Sequence, residues 1–575
     1  MNAVFLALFG LLCFVLAYRF YSRYVAEGVF GIDPDRATPA HEKRDGIDYL
    51  PTHRHVLLGH HFTSIAGAAP ILGPAIAVIW GWVPALLWVV LGTVFLGAVH
   101  DFGCLFVSTR NGGTSIADLT GRIVGPRARI LFLLLVFFLA WVVIAVFAVV
   151  IGILFASYPA TVLPVNFEIV VAVGIGLVIT KLRARLLGPS LVALLLLWGM
   201  VWVGVEFTSD FRLPSLFGDG PQGQVKTWTL LLLAYSFVAS VLPVWVLLQP
   251  RDYINSHQLF VGLGALYLAL FLYHPPVVAP AFNASVAFTP EGGEVSWFPL
   301  LFVTIACGAI SGFHGLVGSG TTAKQIDNER DTRPIGYGSM LGEGSLALMS
   351  VLCCTAGFAS AQEWSVHYGS WKAAGGLQPK LAAFVDGGAS FLVHGLSFPE
   401  DFSKAAIAVV VISFAATTLD TATRIQRFIL QEIAGTYAFR PLQNRYLSSA
   451  LAAFLPLILI FGTTGEGKPF WTELWPIFGA SNQMLGGLSL LVLTFYLLRR
   501  GRNAWVVAVP CALLAAMTSF AMVLNLQSYL AKGSWLLVAL TILLLALSVW
   551  VLLEGILRLR RLSGGEAEDP ANAIE

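Results

Sequence analysis

The chain has 575 residues, 57% of them hydrophobic and only 11% charged, with a formal net charge of +2. So little charge cannot cover the surface of a water-soluble protein of this size. The near-neutral balance, with no Lys/Arg-rich tract, also argues against a nucleic-acid partner, which leaves an all-α polytopic membrane protein.

A helix that crosses a hydrocarbon core of ~30 Å needs roughly 17–25 apolar residues. Runs of that kind predict fifteen spans, at 3–20, 56–80, 84–108, 129–157, 165–180, 187–206, 227–248, 256–274, 297–320, 339–358, 404–423, 446–463, 473–498, 505–526 and 534–557. A semi-apolar piece at 380–396 reads as a loop helix or a re-entrant element. The opening MNAVFLALFGLLCFVLAYRFYSRY has neither a basic leader nor a small-residue cleavage site, so it reads as a retained first span. With the N-terminus outside, all but seven of the 34 Lys and Arg fall in inner loops, the exceptions being Arg212, Lys226, Lys372, Lys380, Lys404, Lys468 and Lys532. That asymmetry follows the positive-inside rule and predicts an outer N-terminus and a cytoplasmic C-terminus. The acidic SGGEAEDPANAIE at 563–575 reads as a disordered tail.

The second span contains HHFTSIAGAAPILGPA, with Pro70 and Pro74 removing donors and Gly67 and Gly73 permitting non-helical turns. An interrupted helix survives in a membrane only where it faces protein or a water-filled cavity. Its unwound turn frees N–H groups for an anion and carbonyls for a cation. His61, Ser64, Ala66, Gly67, Ala68 and Ala69 are therefore the first substrate-binding candidates. In the seventh span, AYSFVASVLPVWVLLQPRDY repeats the theme and adds Ser236 and Ser240. Interrupted spans at matching places in two inverted halves mark the binding site of a secondary transporter. The expected organisation is a LeuT-type 5+5 core: a first repeat at 56–206 and a second at 227–431 that includes the outer loop 359–403. Residues 1–55 and 446–562 would be accessory. The ninth span, ISGFHGLVGSGTTAKQ, offers His314 for substrate or a proton, and Ser311, Thr321 and Thr322 for a coupling cation.

Ionisable residues inside spans are costly and point to function. They are His60, His61, His100, Asp101, Glu343 and Asp420. Asp420 can pair along its own helix with Arg424 or Arg427, and Asp101 can be reached by Arg110. Glu168 and Glu206 lie near span ends and read as interfacial. Asn482 and Gln483 read as amides that hold helices together. The four histidines of THRHVLLGHH lack HExxH spacing, an i,i+4 pair and a nearby Cys, so no metal is expected. The six cysteines read as small core residues. No phosphate loop and no nucleophile–base constellation appears, so neither an ATP-driven pump nor an enzyme is expected, and no cofactor beyond a coupling H⁺ or Na⁺.

VLLGHHFTSIAGAAPILGPAIA, GAVHDFG, STRNGGTSIADL, SGFHGLVGSGTTAKQIDNE, IGYGSMLGEG, LDTATRIQRFILQE and WPIFGASNQM together resemble the carbon starvation protein A family of bacterial inner-membrane transporters. The resemblance implies the inverted five-helix repeat and uptake of small carbon sources, with pyruvate–proton symport or peptide uptake as the assignments. The resulting expectation is a symporter for a small carboxylate, pyruvate foremost, with its carboxylate on the freed N–H groups near Ala66–Ala69 and no basic residue deep in the bundle. Asp101, Glu343 or Asp420 would handle the coupling proton. Peptide uptake, or a solute channel of the same fold, is the alternative. The lipid bilayer is the other expected partner; oligomeric state is not legible.

Overall fold

The computed structural model describes residues 1–46, 48–182, 187–218, 220–243, 246–286, 297–371, 377–463 and 469–563. The tail beyond Ser563 and the charges at Arg183, Arg185, Lys372 and Lys468 lie outside the described residues. Within them the chain is helical, broken by three isolated bridges and no sheet. The long helices are α1 (Ala3–Leu16), α2 (Arg54–Ile65), α3 (Ala69–Ala77), α4 (Trp82–Arg110), α5 (Pro126–Ser157), α6 (Val162–Leu182), α7 (Leu187–Thr208), α8 (Pro221–Val241) and α9 (Leu248–Tyr273). They continue as α10 (Trp297–Ile305), α11 (Gly312–Gly320), α12 (Ser339–Ala356), α13 (Leu377–Leu396), α14 (Glu400–Thr436), α15 (Arg445–Phe454), α16 (Leu474–Arg499), α17 (Trp505–Ala531) and α18 (Trp535–Ser563).

Among the described residues, thirteen helical stretches are long and apolar enough to cross a membrane, or fourteen if α2 and α3, bent by 47°, form one span. The sequence expectation was fifteen. The difference lies at 446–463, where the apolar helix Arg445–Phe461 falls short of a spanning length. Pro456 divides it, because a proline supplies no N–H to the turn before it. The piece at 380–396 is part of the 20-residue helix α13, packed against α3, α9, α12 and α14.

Sequence dictates the long members directly. Helix α5 is apolar on every face, as a buried span must be, and starts with Pro126 after Gly125. It packs along α14, a 37-residue helix. Peripheral helices keep large apolar side chains on the outside, among them Phe5, Leu8 and Leu12 of α1 and Leu191, Leu195 and Trp202 of α7. In water such a belt would be a liability; in a bilayer it is the solvent-facing surface.

Among the described residues two spans are interrupted, and they lie against each other. The first breaks between α2 and α3. The second breaks between α10 and α11, where Ala306–Gly308 form a short 3₁₀ turn and Ser311 is extended. Pairings descend steadily along one chain and rise along the other. The Thr52 N–H donates to Gln325 O at 3.1 Å, His61 meets Thr322 at 2.9 Å, and the Asn283 N–H donates to Trp80 O at 2.9 Å. The interrupted spans are therefore antiparallel. Gly73 makes their approach possible: a Cβ there would stand 2.5 Å from the carbonyl oxygen of Ile305. The seventh span, expected to be the second interrupted one, is instead continuous to Val241 and ends at Leu242, in extended conformation. Pro243 explains the ending, since the residue before a proline is pushed out of the helical region.

Candidate functional site

The turn between α2 and α3 is closed by Ala66 N–H donating to Phe62 O at 2.8 Å and Gly67 N–H donating to Ile65 O at 2.9 Å. Helix α3 restarts with Ile71 and Leu72 N–H groups on Ala68 O. Its first turn presents the N–H groups of Ala68 and Ala69, which no carbonyl of their own helix can take. Ser64, Ala66, Ala68 and Ala69 are all buried. Gly67 is pressed against the long helices: a Cβ would lie 2.6 Å from the Phe147 ring and 2.7 Å from Thr418 Oγ1. The hydroxyls of Ser64 and Thr418 are buried without a hydrogen-bond partner. An unsatisfied hydroxyl inside a bundle costs about 1–3 kcal/mol, so two of them beside a free helix N-terminus form a place made for a polar guest.

Beyond this turn stands a line of four ionisable side chains from three helices, each fully buried. His100 Nδ1 lies 2.7 Å from Asp101 Oδ1, and His314 Nδ1 lies 2.8 Å from Asp101 Oδ2. On its other side, His314 Nε2 faces Glu343 Oε2 at 3.3 Å. Three residues predicted separately, on α4, α11 and α12, thus become one chain, with His100 at its end. Glycines make the room: a Cβ on Gly315 would touch the His100 ring at 3.2 Å, and one on Gly318 would reach His61 at 3.9 Å. His61 Nδ1 is bonded to Thr322 Oγ1 at 2.9 Å, while its Nε2 has no partner. Arg110, offered as a partner for Asp101, pairs instead with Glu329 at 2.5 Å.

The hydroxyls suggested for a cation do not converge. Ser311 and Thr322 are separated by the whole of α11, about 15 Å at 1.5 Å per residue, with Thr321 beside the latter. Ser311 is occupied with Asn482, whose Nδ2 donates to it at 3.0 Å and whose Oδ1 accepts the Phe313 N–H at 3.0 Å, capping α11. Gln483 ties α16 to Phe302 O at 2.8 Å. Cys307 Sγ, a His314 ring nitrogen and a Glu343 oxygen lie within 4.8 Å of one another, a spacing that a metal ion could bridge. Cys307 is already engaged with Ser311 at 3.3 Å and Asn482 at 3.2 Å.

A second buried network corrects three sequence expectations. Asp420 does not pair along its own helix; its partner is Arg251 of α9, at 2.6 Å, and Tyr235 donates to the same oxygen at 3.0 Å. A basic residue therefore does lie deep in the bundle: Arg251 is 2% exposed, and its Nε and Nη2 have no partner. Glu168 is not interfacial but buried, accepting from Ser413 Oγ at 2.6 Å. The bases expected beside Asp420 cap α8 instead. Arg424 donates to Ala239 O at 3.0 Å and Leu242 O at 2.7 Å, and Arg427 to Ser240 O at 2.6 Å. The structure does not bring Ser236 and Ser240 to the first break. Ser236 Oγ bonds Leu233 O in its own helix, and Ser240 Oγ meets Ser449 Oγ at 3.1 Å. The adjacent His60 joins the second network through Asp252 at 2.8 Å, so consecutive histidines of α2 address separate clusters.

Thr418, Cys307, Arg251, Asp252 and Tyr235 were missed as site residues. The run LLQPRDY reads as a loop because Pro250 precedes two charges, yet it forms the first turn of a buried helix. The signal available for Thr418 was only its place in TTLDTATRIQR, two residues before Asp420.

The model of the family "Carbon starvation protein CstA" matches residues 2–361 and 361–521. The "Peptide transporter CstA" of Escherichia coli is 33% identical, the match covering 90% of this chain and 80% of that protein. The "Pyruvate/proton symporter BtsT" of the same organism is 31% identical, over 92% of this chain and 82% of that one. Among solved structures, a mutant of the Eremococcus coleocola manganese transporter aligns over 89% of this chain and 99% of its own, at 13% identity and a TM-score of 0.46. A family match over most of its length, together with relatives this similar over four fifths of their own, shows that the chain belongs to the carbon starvation protein CstA family.

Proposed function

We propose that the protein is a symporter that moves a small carboxylate, pyruvate foremost, together with a proton across the bacterial inner membrane. The observation that carries this reading is the buried line His100–Asp101–His314–Glu343. Two carboxylates out of contact with water and with no Lys or Arg among their contacts are tolerable only if protons neutralise them. Imidazole is the side chain that gives and takes a proton near neutrality. The line therefore holds protons by necessity and can exchange them by design.

The substrate carboxylate belongs at the free N-terminal end of α3, among the N–H groups of Ala68 and Ala69 and the hydroxyls of Ser64 and Thr418. Backbone N–H groups at a helix start favour an anion without a dedicated arginine. His61, on the half-span that leads into this turn, is fastened to Thr322 at 2.9 Å and keeps its Nε2 without a hydrogen-bond partner. The tight surroundings of Gly67 favour a small guest over a peptide. The peptide-transporter names of several relatives favour the other reading. On the same reading, the antiparallel pair of interrupted spans lies within a LeuT-type core of two inverted repeats.

Uptake of labelled pyruvate into proteoliposomes under an imposed proton gradient, with and without sodium, tests the proposal. Accumulation driven by the proton gradient alone is the expected result. Accumulation only with sodium, or of dipeptides in place of pyruvate, would overturn the coupling ion or the substrate respectively.

A further inference from the structure

A cleft of about 1280 Å³ runs between α1 and the face made by α2, α9 and α12. Its walls are apolar: Leu11, Phe14 and Val15 of α1, Phe62 of α2, Phe260 of α9 and Leu341 of α12. Val15 is 63% exposed and Phe260 51% exposed, so the cleft opens sideways, toward the bilayer. At one end the lining changes character. Past Leu16, α1 continues in wide π turns to Phe30 and brings Arg19 and Arg23 to the rim, opposite Arg333.

Arg333 is held in place. It donates to Ser22 Oγ at 2.9 Å and Tyr18 O at 2.8 Å and lies over the Tyr18 ring at 4.9 Å. Arg23 pairs with Glu27 at 2.9 Å, and Arg19 has no ion-pair partner among the described residues. Three guanidinium groups thus face one carboxylate. Ser339, which also lines the cleft, keeps its hydroxyl buried and without a partner. An apolar trough, a polar atom part-way along it and a cationic mouth match the acyl chains, ester oxygens and phosphate of one molecule.

We propose that this cleft is a binding site for a phospholipid with a net-negative head group, its phosphate held by Arg19, Arg23 and Arg333 and its chains laid along α1. Clusters of basic residues at the membrane surface select anionic lipids by charge, while the apolar trough supplies affinity for any acyl chain. The site forms from two sides: accessory α1 gives one wall, and the half-span that carries His61 gives the other.

The test is native mass spectrometry of the purified protein in detergent with phosphatidylglycerol, phosphatidylcholine of the same chains, or soluble glycerol phosphate. Phosphatidylglycerol is expected to stay bound through detergent release, phosphatidylcholine to be lost, and glycerol phosphate neither to bind nor to compete. Arg19→Gln with Arg23→Gln, both at exposed positions, is expected to weaken phosphatidylglycerol retention roughly tenfold or more. Val15→Trp, which fills the trough without touching the charges, is expected to weaken it as well. Equal retention of both lipids, or unchanged retention in both variants, would overturn the proposal. Competition by glycerol phosphate would show a plain phosphate site and overturn the lipid assignment.

Discussion

Asp101 sits between two imidazoles, and each of its oxygens is taken by one of them. Glu343 faces His314 at 3.3 Å and Cys307 Sγ within 4.8 Å, and both its oxygens lack a hydrogen-bond partner. On the proposed reading, this asymmetry makes Glu343 the end at which the line would load or release. Glu343→Gln mimics the protonated form. It is expected to keep solute exchange between the two sides, measured by counterflow, while losing accumulation driven by a proton gradient. Loss of both would mean that Glu343 serves the binding of solute and not its coupling. In the other network, Asp420→Asn leaves the Arg251 guanidinium buried without its counter-charge. Removing one member of a buried pair costs about 3–5 kcal/mol, so thermal unfolding in detergent should show a clear loss. Arg251→Met added to it should recover much of that loss. As for legibility, intramembrane charge alone pointed to Asp101 and Glu343, because bilayers penalise such residues wherever they lack a use, and the glycine- and hydroxyl-rich ninth span pointed to His314. Their meeting in one line depends on three helices crossing, which no local pattern encodes. Arg251 escaped for a related reason: beside a proline, a charge resembles a loop until its helix is seen to be enclosed.

Among the helices, the interruption of the second span was legible because two prolines and two glycines sit in one apolar run. Its partner was misplaced because α10 and α11 break without any proline inside the turn; small residues and an extended Ser311 are enough. The proline that drew attention in the seventh span ends a helix rather than splitting one. The close packing of the two broken spans rests on Gly73. Gly73→Ala would force a methyl to within 2.5 Å of the Ile305 carbonyl, a backbone atom that cannot swing aside. Overpacking of this kind costs about 1–3 kcal/mol. Lower thermal stability together with impaired uptake is expected, and an unaffected variant would mean that the two spans are not held this closely.

For the molecule as a whole, hydropathy and the distribution of Lys and Arg conveyed the helical membrane class and nearly all the spans. They overcounted by treating 446–463 as a crossing, a length judgement that Pro456 defeats. The orientation inferred from charge, with an outer N-terminus, is checked by labelling single cysteines with a membrane-impermeant reagent in intact cells. A cysteine replacing Arg212 is expected to react, and one replacing Arg122 to stay protected, both being exposed positions that precede 446–463; the reverse pattern would invert the topology. His60 and His61 add a constraint on how any such machine can move. They are consecutive on one rigid half-helix, one fastened to Asp252 and the other to Thr322. On the proposed reading, a movement of α2 bears on both fastenings at once, which ties the two clusters together. On that reading the pair would act as an interlock, in which a half-made stroke strains the latch that is still shut, and leakage without cargo would be discouraged by the spacing of two neighbouring residues.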